Sequence, residues 1–214
     1  GRGVVGGSLG GACGGVRGGG GRGCGGGVGA RVGRRCKGTH DEYAFAMRHD
    51  SDSCNGWEAG QQFAMELLVG MVEAIGRGEE PVLDSAFIEA WGVVLLDQEL
   101  DPSIRSLALT LPAESYLSER FEVLDPGHVH AALKAARVQL ARAHAGSLRE
   151  VRARYFTGES YSADKESIGR RRLPNTCLAF LSELGEGDDI AACVAQFEGA
   201  DNMTDSVAAP ACQS

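Results

Sequence analysis

Residues 50–61, DSDSCNGWEAGQ, determine how the surrounding chain folds. Their short polar side chains bond to nearby backbone groups, which ends one helix and begins the next. The apolar residues that follow are spaced three or four apart, as on one face of an α-helix; they are Trp57, Phe63, Leu67, Leu68, Met71 and Ile75. The stretch predicts a short helix over 39–48 and a long one over 55–75, with Trp57 as the first large anchor of its buried face.

Further helix starts follow the same rules. Thr39 and Glu42 have the spacing of a capping box. Asp101 and Asp125 each precede a proline, the favoured order of a cap and a first helical residue. Residues 39–214 show no strand-like alternation. The pattern therefore predicts an all-α fold, a curved array of antiparallel helix pairs that forms part of an α-superhelix.

Apolar periodicity also predicts which helix faces are buried. Trp91 should anchor a helix over 86–96, and Ile104 and Leu107 should share the inward face of the next helix. A short helix then precedes a long one that begins near Asp125. Gly146 is expected to divide that long helix into two separate helices.

The last third of the chain continues the helical pattern. Ser162 is expected to open a helix that Pro174 interrupts, because an interior proline loses a hydrogen bond and clashes at a cost of about 3 kcal/mol. We therefore expect a kink or a restart at Pro174. Residues 190–197 predict one more amphipathic helix, and residues 202–209 have the composition of the start of another.

Residues 1–38 differ sharply in composition from the rest. They include 19 Gly and 7 Lys or Arg, with no acidic and no aromatic residue. Such a segment loses much entropy on ordering and has little to bury, so we predict a disordered arm. Its Arg-Gly pairs leave RNA binding open as an alternative, although the aromatic residues that stack on bases are missing. A transit-type segment and translated non-coding sequence are the other interpretations.

Charge and cysteine usage limit the function classes. Removing the arm's seven basic residues from the total of 21 leaves 14 against 29 acidic ones, a net charge of −15 for residues 39–214. That argues against nucleic-acid binding by the folded part. The seven cysteines include no C-x-x-C pair, which predicts reduced thiols and an intracellular location, cytoplasmic or organellar. No apolar run approaches the roughly 20 residues needed to cross a membrane, so no membrane partner is expected.

Two clusters were considered as metal sites. His128 and His130 lie near Asp125, but positions two apart on a helix face different directions. The first turn of a solvated helix is the favoured interpretation. Residues 50–52 resemble the start of a calcium loop, yet the required Gly and Glu are missing from the sixth and twelfth positions. Helix capping is favoured there.

The remaining candidates also have structural explanations. Arg170, Arg171 and Arg172 could meet a phosphate or an acidic partner, but a solvated helix face or pairing with the chain's many carboxylates is favoured. Trp57 and Trp91 are predicted to be core residues. No catalytic, cofactor-binding or metal-binding residue is assigned in this chain.

Six blocks in a fixed order carry a family resemblance. They are residues 50–61 (DSDSCNGWEAGQ), 83–90 (LDSAFIEA), 107–117 (LALTLPAESYL), 125–131 (DPGHVHA), 170–181 (RRRLPNTCLAFL) and 200–205 (ADNMTD). Together they resemble the zinc aminopeptidase N (alanyl aminopeptidase) family. The resemblance implies that residues 39–53 are the tail of a preceding β-sandwich domain or a linker helix. Residues 54–214 would be the front part of the C-terminal helical domain.

The resemblance also implies an activity, removal of N-terminal residues from peptides by a zinc enzyme. The family holds zinc with H-E-x-x-H and a further Glu and binds the substrate amine with G-A-M-E-N. None of these motifs occurs in the 214 residues. We expect a non-catalytic fragment, inactive alone and without its own cofactor, that walls the active-site chamber. Its partners would be the catalytic and β-sandwich domains of the parent enzyme, and the peptide substrates of the whole enzyme.

An alternative is a stand-alone helical protein-interaction module, because half of a helical array leaves an apolar face exposed to which another protein would bind. The first methionine is Met47. That position predicts a fragment or an incomplete gene model.

Overall fold

A computed structural model describes residues 38–50, 52–123, 125–156 and 164–200, together with 203, 205, 206 and 208. The described residues form eight α-helices and no strand, which confirms the predicted all-α fold. The helices are α1 (His40–His49), α2 (Ser53–Gly76), α3 (Ser85–Leu96), α4 (Pro102–Leu109), α5 (Glu114–Ser118), α6 (Pro126–Tyr155), α7 (Lys165–Ser182) and α8 (Gly187–Gly199). The predicted arm, apart from its last residue, and the predicted helix start at Ser162 lie outside the described residues.

Side-chain caps begin the helices largely where the sequence placed them. Thr39 Oγ1 accepts the Glu42 N–H at 3.3 Å, and a Glu42 carboxylate oxygen accepts the Thr39 N–H at 2.8 Å, so the capping box is confirmed. Asp52 caps α2 by accepting a backbone N–H at 2.9 Å. Asp101 and Asp125 cap α4 and α6 just before their prolines. Each cap satisfies a backbone donor that the helix itself leaves unpaired.

The core lies around α6, which packs on α2, α3, α5 and α7, while α7 also contacts α4 and α8. Trp91 is fully buried as predicted, and its indole N–H donates to the Leu109 carbonyl at 3.1 Å. Helix α1 packs on α2 and α3 and adds Ala44 and Met47 to the same core. The domain boundary predicted at residue 53 stays a prediction.

Trp57 is not the buried anchor that the sequence predicted. Its side chain is 38% exposed, and the fully buried Phe63 is the first large anchor of α2. The helical period identifies the apolar face of a helix, but it does not say how far along that helix the neighbours extend. The first turns of α2 lie beside the end of α1 and share an open cleft with residues of α3 and α4, so the indole meets solvent.

Helix α4 presents the opposite face from the one predicted. Ile104 and Leu107 are exposed, whereas Arg105 and Ser106 are buried with Leu109. The Ser106 hydroxyl lies 2.8 Å from the Thr176 hydroxyl of α7. Polar groups occupy the inner face because hydrogen bonds satisfy several of their atoms, and apolar periodicity cannot detect such an arrangement.

The predicted division of the long helix is found, but it lies at His144, two residues before Gly146. Helix α6 runs past Gly146, and its backbone leaves helical geometry at His144, with φ −121° and ψ 19°. The His144 ring stacks on Trp91 with 5.6 Å between centroids, and its Nε2 lies 2.9 Å from the Ile88 carbonyl oxygen. These contacts hold His144 against α3. The tertiary environment, and not glycine flexibility, therefore sets the irregularity.

The sequence predicts a kink or a restart at Pro174. The restart does not occur, because α7 continues through that residue, and the kink stays a prediction. Proline removes the N–H that would bond the Arg170 carbonyl. Neighbouring Leu173 and Cys177 are fully buried, and α7 packs extensively on α4 and α6. Burial of this face offsets the missing hydrogen bond. Of the helix start predicted over 202–209, the structure describes 203, 205, 206 and 208, all helical.

Candidate functional site

An open cleft of about 50 Å³ lies where α1 and α2 face the end of α3 and the start of α4. Its floor is apolar and includes Val94, Leu100 and Ile104, and half-exposed Trp57 forms one side. In this cleft the Trp57 indole of α2 meets the outward apolar face of α4. Both were expected to be buried.

Charged side chains lie on the rim of the cleft. Arg48, Asp50 and Asp97 line it together with Ser53. The Arg48 Nε donates to the Ala44 carbonyl at 3.0 Å, which holds the guanidinium along α1. A groove with an apolar floor and a polar rim can receive an apolar side chain and hydrogen-bond its flanking backbone. It contains no arrangement of nucleophile and base.

The histidines considered as a metal pair have different partners. His128 Nε2 lies 3.8 Å from an Asp125 carboxylate oxygen, within the first turn of α6. His130 Nδ1 lies 3.1 Å from a carboxylate oxygen of Glu114, on α5. The two imidazoles therefore face different elements, which fits the solvated first turn that the sequence favoured.

The other candidate sites suggested by the sequence lie apart from one another. In the 50–52 run, Asp52 caps α2 and a carboxylate oxygen of Asp50 accepts the Asp52 N–H at 2.9 Å, so capping is confirmed for Asp52. On α7, Arg172 is exposed, and Arg170 and Arg171 are half-buried. The structure does not bring these groups together into one site.

The resemblance implies that a whole enzyme of this family holds a zinc ion. Within 38–50, 52–123, 125–156 and 164–200 and the four single residues beyond, no group of three or more His, Cys, Asp and Glu is placed to hold a metal ion. Within that described part, no set of side chains fits a zinc ion. None of the described helices has the length and apolar content needed to span a membrane.

An ion pair fixes α8 to α6. Arg149 donates through Nη2 and Nε to both carboxylate oxygens of Asp189, at 2.7 and 3.2 Å, and through Nη2 to Glu186 at 2.6 Å. The pKa of Arg149 is raised above its ordinary value, chiefly by the hydrogen bonds to Asp189. The Asp189 side chain is buried. The bidentate geometry specifies how α8 lies on α6.

A chain of side-chain hydrogen bonds joins two of the sequence blocks. Arg152 donates to the Gln196 amide oxygen at 3.4 Å, Gln196 donates to Asn175 at 2.8 Å, and Asn175 donates to the Asp205 carboxylate at 2.8 Å. Asn175 belongs to the block 170–181 and Asp205 to the block 200–205. The polar residues of these blocks thus connect α6, α7 and α8 with the segment that follows. Their role here is structural.

Comparison with known families gives the identity of this helical array. Residues 40–213 match the family described as a domain of unknown function, DUF3458_C, built of ARM repeats. The chain belongs to this family. This family is the C-terminal ARM-repeat domain of aminopeptidase N, so the resemblance predicted from the six blocks is confirmed.

Curated relatives agree with the family match. The chain is 35% identical over 159 residues to Aminopeptidase N of Caulobacter vibrioides, covering 74% of this chain and 18% of the relative. It is 31% identical over 174 residues to Aminopeptidase N of Escherichia coli, covering 81% of this chain and 20% of that protein. The chain therefore spans about a fifth of the length of the curated relatives that it matches.

A solved structure has the same fold. The crystal structure of Legionella pneumophila aminopeptidase A in complex with aspartic acid superposes with a TM-score of 0.69. The match covers 82% of this chain and 21% of that chain at 20% identity. At this identity the similarity establishes the helical fold alone. The comparisons lend no support to the stand-alone module or to RNA binding by the arm.

Sequence reasoning missed the cleft and the buried Arg105. The cleft depends on where helices end relative to one another, for which apolar periodicity contains no signal. Arg105 has a weak signal in retrospect, because Arg105, Ser106 and Leu109 share one face of α4. Two of these three residues are polar, and a polar stripe on a helix is ordinarily predicted to face solvent.

Proposed function

We propose that this chain forms a non-catalytic wall of the active-site chamber in an aminopeptidase N-type zinc exopeptidase. The proposal is carried by the family match over residues 40–213, to the C-terminal helical domain of aminopeptidase N. The chain's share of its relatives, about a fifth of their length, supports a role within a larger enzyme. Zinc binding and peptide-bond cleavage would belong to other parts of that enzyme.

No bond-breaking residue is assigned to this chain. The full sequence contains no H-E-x-x-H, the motif that places two zinc ligands and a general base on one helical face. The contribution of these helices would be positional. They would border the chamber and limit access to small peptides and to unfolded chain ends. An intracellular location also stays a prediction.

Exposed apolar surface supports docking onto the remaining domains of the same enzyme. The cleft exposes Trp57 and Ile104, and α8 exposes Ile190, Val194 and Phe197, which lie four and three residues apart on one side of that helix. We propose that other domains of the parent enzyme cover both surfaces. Docking would bury these side chains and contribute about 25 cal/mol per Å² of apolar surface removed from water.

A chimera tests the proposal directly. Residues 40–213 replace the matching segment of Escherichia coli Aminopeptidase N, and hydrolysis of an alanyl anilide and of longer peptides is measured. We expect the chimera to cleave the anilide and to discriminate against the longer peptides. The isolated chain with added zinc should give no turnover. Turnover by the isolated chain would contradict the proposal, as would a chimera that folds and shows no peptide-length discrimination.

The cleft has its own matched test in the chimera. Trp57→Glu places a charge on the proposed docking surface and should lower activity by about tenfold, equivalent to about 1.4 kcal/mol of lost domain coupling. Val82→Glu is the control, since Val82 is an exposed valine that does not line the cleft. Equal activity of the two variants would contradict docking at the cleft.

A further inference from the structure

Arg105 is among the largest fully buried side chains of the described structure, with 1% of its surface exposed. It lies on α4, which packs on α2, α3 and α7, and its guanidinium reaches Tyr155 of α6. The helices are close there, because a Cβ added at Gly169 of α7 would lie 2.6 Å from the Ser103 hydroxyl of α4. A guanidinium is always charged at physiological pH, so its burial requires polar partners.

One side of the guanidinium has such partners. Nη1 donates to the Asp97 carbonyl at 2.7 Å and approaches the Leu95 carbonyl at 3.4 Å. These carbonyls belong to the last turn of α3 and its cap, where a cation is favoured by the helix dipole. The Tyr155 ring of α6 lies over the guanidinium carbon at 5.0 Å. Arg105 therefore caps α3 through one nitrogen.

The other side of the Arg105 guanidinium has no polar partner among the described residues. Nε and Nη2 of Arg105 are both buried and make no hydrogen bond within the part of the chain that the structure describes. These two N–H groups form one edge of the planar group and point in parallel. A carboxylate matches that edge with its two oxygens, the bidentate geometry that arginine favours for such anions. The unsatisfied atoms are thus the pair that an oxyanion would engage.

The surroundings add positive charge. Arg152 of α6 also has a buried Nε without a partner, and its guanidinium lies over the Phe156 ring at 4.8 Å. Burial raises the pKa of the Cys177 thiol to about 12, although Arg105 and Arg152 act to lower it. The thiol is therefore neutral and does not balance the two cations. No carboxylate among the described residues forms an ion pair with Arg105.

We propose that the Nε–Nη2 edge of Arg105 binds a small carboxylate anion at the junction of α4, α6 and α7. The anion would satisfy both N–H groups and neutralise the guanidinium that α3 and Tyr155 hold in place. Because Arg105 is fully buried, the bound anion is shielded from water, which strengthens its hydrogen bonds.

The test uses the full chain with sodium acetate as the carboxylate probe, at ionic strength kept constant with sodium chloride. Acetate at ten times its dissociation constant should raise the unfolding temperature by about 4 °C. Arg105→Met, which keeps the apolar stem and removes the edge, should lose that saturable rise. Arg142→Met removes an exposed arginine and should respond as the unaltered chain does. Sodium phosphate replaces acetate in a parallel series to determine whether a tetrahedral oxyanion binds as well.

A second readout does not depend on the fold of a variant. In the unaltered chain labelled with ¹⁵N, the Arg105 Nε–Hε resonance should shift saturably with acetate, while that of Arg142 should not. A rise in unfolding temperature that is equal in Arg105→Met, or an Arg105 resonance that acetate leaves unmoved, would overturn the proposal. A phosphate response without an acetate response would overturn its assignment to carboxylates.

Discussion

The two tryptophans of the chain have opposite environments. Trp91 is fully buried, donates to a carbonyl, and contacts the rings of His144 and Phe180 at 5.6 and 4.9 Å. Trp57 lies on a similar apolar stripe of its own helix but forms the side of an open cleft. The same residue type with the same periodicity thus forms part of the core in one region and of the surface in the other.

The difference in burial comes from what packs around each helix and not from the apolar pattern of the helix itself. Around Trp91, α3 packs against α4 and α6, the Phe180 ring of α7 lies against the indole, and the indole N–H finds an acceptor. Around Trp57, the end of α1 and parts of α3 and α4 line an open cleft that leaves the indole partly exposed. The half-covered Trp57 is the surface onto which we propose that another domain of the parent enzyme docks.

The largest expected effect separates the two tryptophans directly. Trp91→Ala should lower the free energy of unfolding by about 3–5 kcal/mol, because it leaves a cavity in the core. Trp57→Ala should lower it by less than about 1 kcal/mol, since the site is already open to solvent. Urea unfolding of both variants in the isolated chain checks this. Equal losses would mean that the cleft is as closely packed as the core.

A second substitution probes how closely the core around Trp91 is packed. Gly92→Ala would place a Cβ 2.3 Å from the His144 ring, so something must shift. We expect a loss of about 1–3 kcal/mol in unfolding free energy, typical of overpacking. His144→Ala should remove much of that penalty, giving a coupling of about 1 kcal/mol in a double-mutant cycle.

Gly146→Ala is the matched control for Gly92→Ala. Gly146 lies in the same helix as His144, is exposed, and has no atom within 4 Å of an added Cβ. Alanine there should stabilise the helix by about 0.5–1 kcal/mol. A loss at Gly146 would show that α6 needs flexibility at the predicted break, and it would restore the sequence-based interpretation.

The last comparison is between two thiols. The pKa of Cys177 is raised to about 12 from an ordinary value of 9.0, chiefly by burial, whereas Cys54 is exposed near the cleft end of α2. An unfolded thiol ionises above pH 9 while the folded one keeps its proton. Cys177 therefore contributes full stability below pH 9 and loses that contribution as pH rises towards 12.

Urea unfolding at pH 8 and pH 10 measures the thiol effect. The unaltered chain should lose about 1.4 kcal/mol more than Cys177→Ala over this interval. Cys54→Ala should lose as much as the unaltered chain. If Cys177→Ala had the same pH dependence as the unaltered chain, the interior around Cys177 would be open to water.

Much of the fold could be predicted, and the reason is local chemistry. Thr39, Asp101 and Asp125 cap helices through bonds to backbone groups only two or three residues away, so the sequence contains the whole interaction. The missing pieces are long-range. The distortion at His144 depends on Ile88 and Trp91, more than 50 residues earlier in the chain.

By itself, the sequence determined the all-α class, the helix starts and the family, because caps, periodicity and ordered blocks are properties of neighbouring residues. The tertiary structure alone decided which face of α4 is buried, why Trp57 is exposed, how α7 continues through Pro174, and that Arg105 is enclosed with one edge unsatisfied. Each of these depends on which groups lie opposite in space. Burial and hydrogen bonding between distant segments override local preference whenever they contribute more free energy.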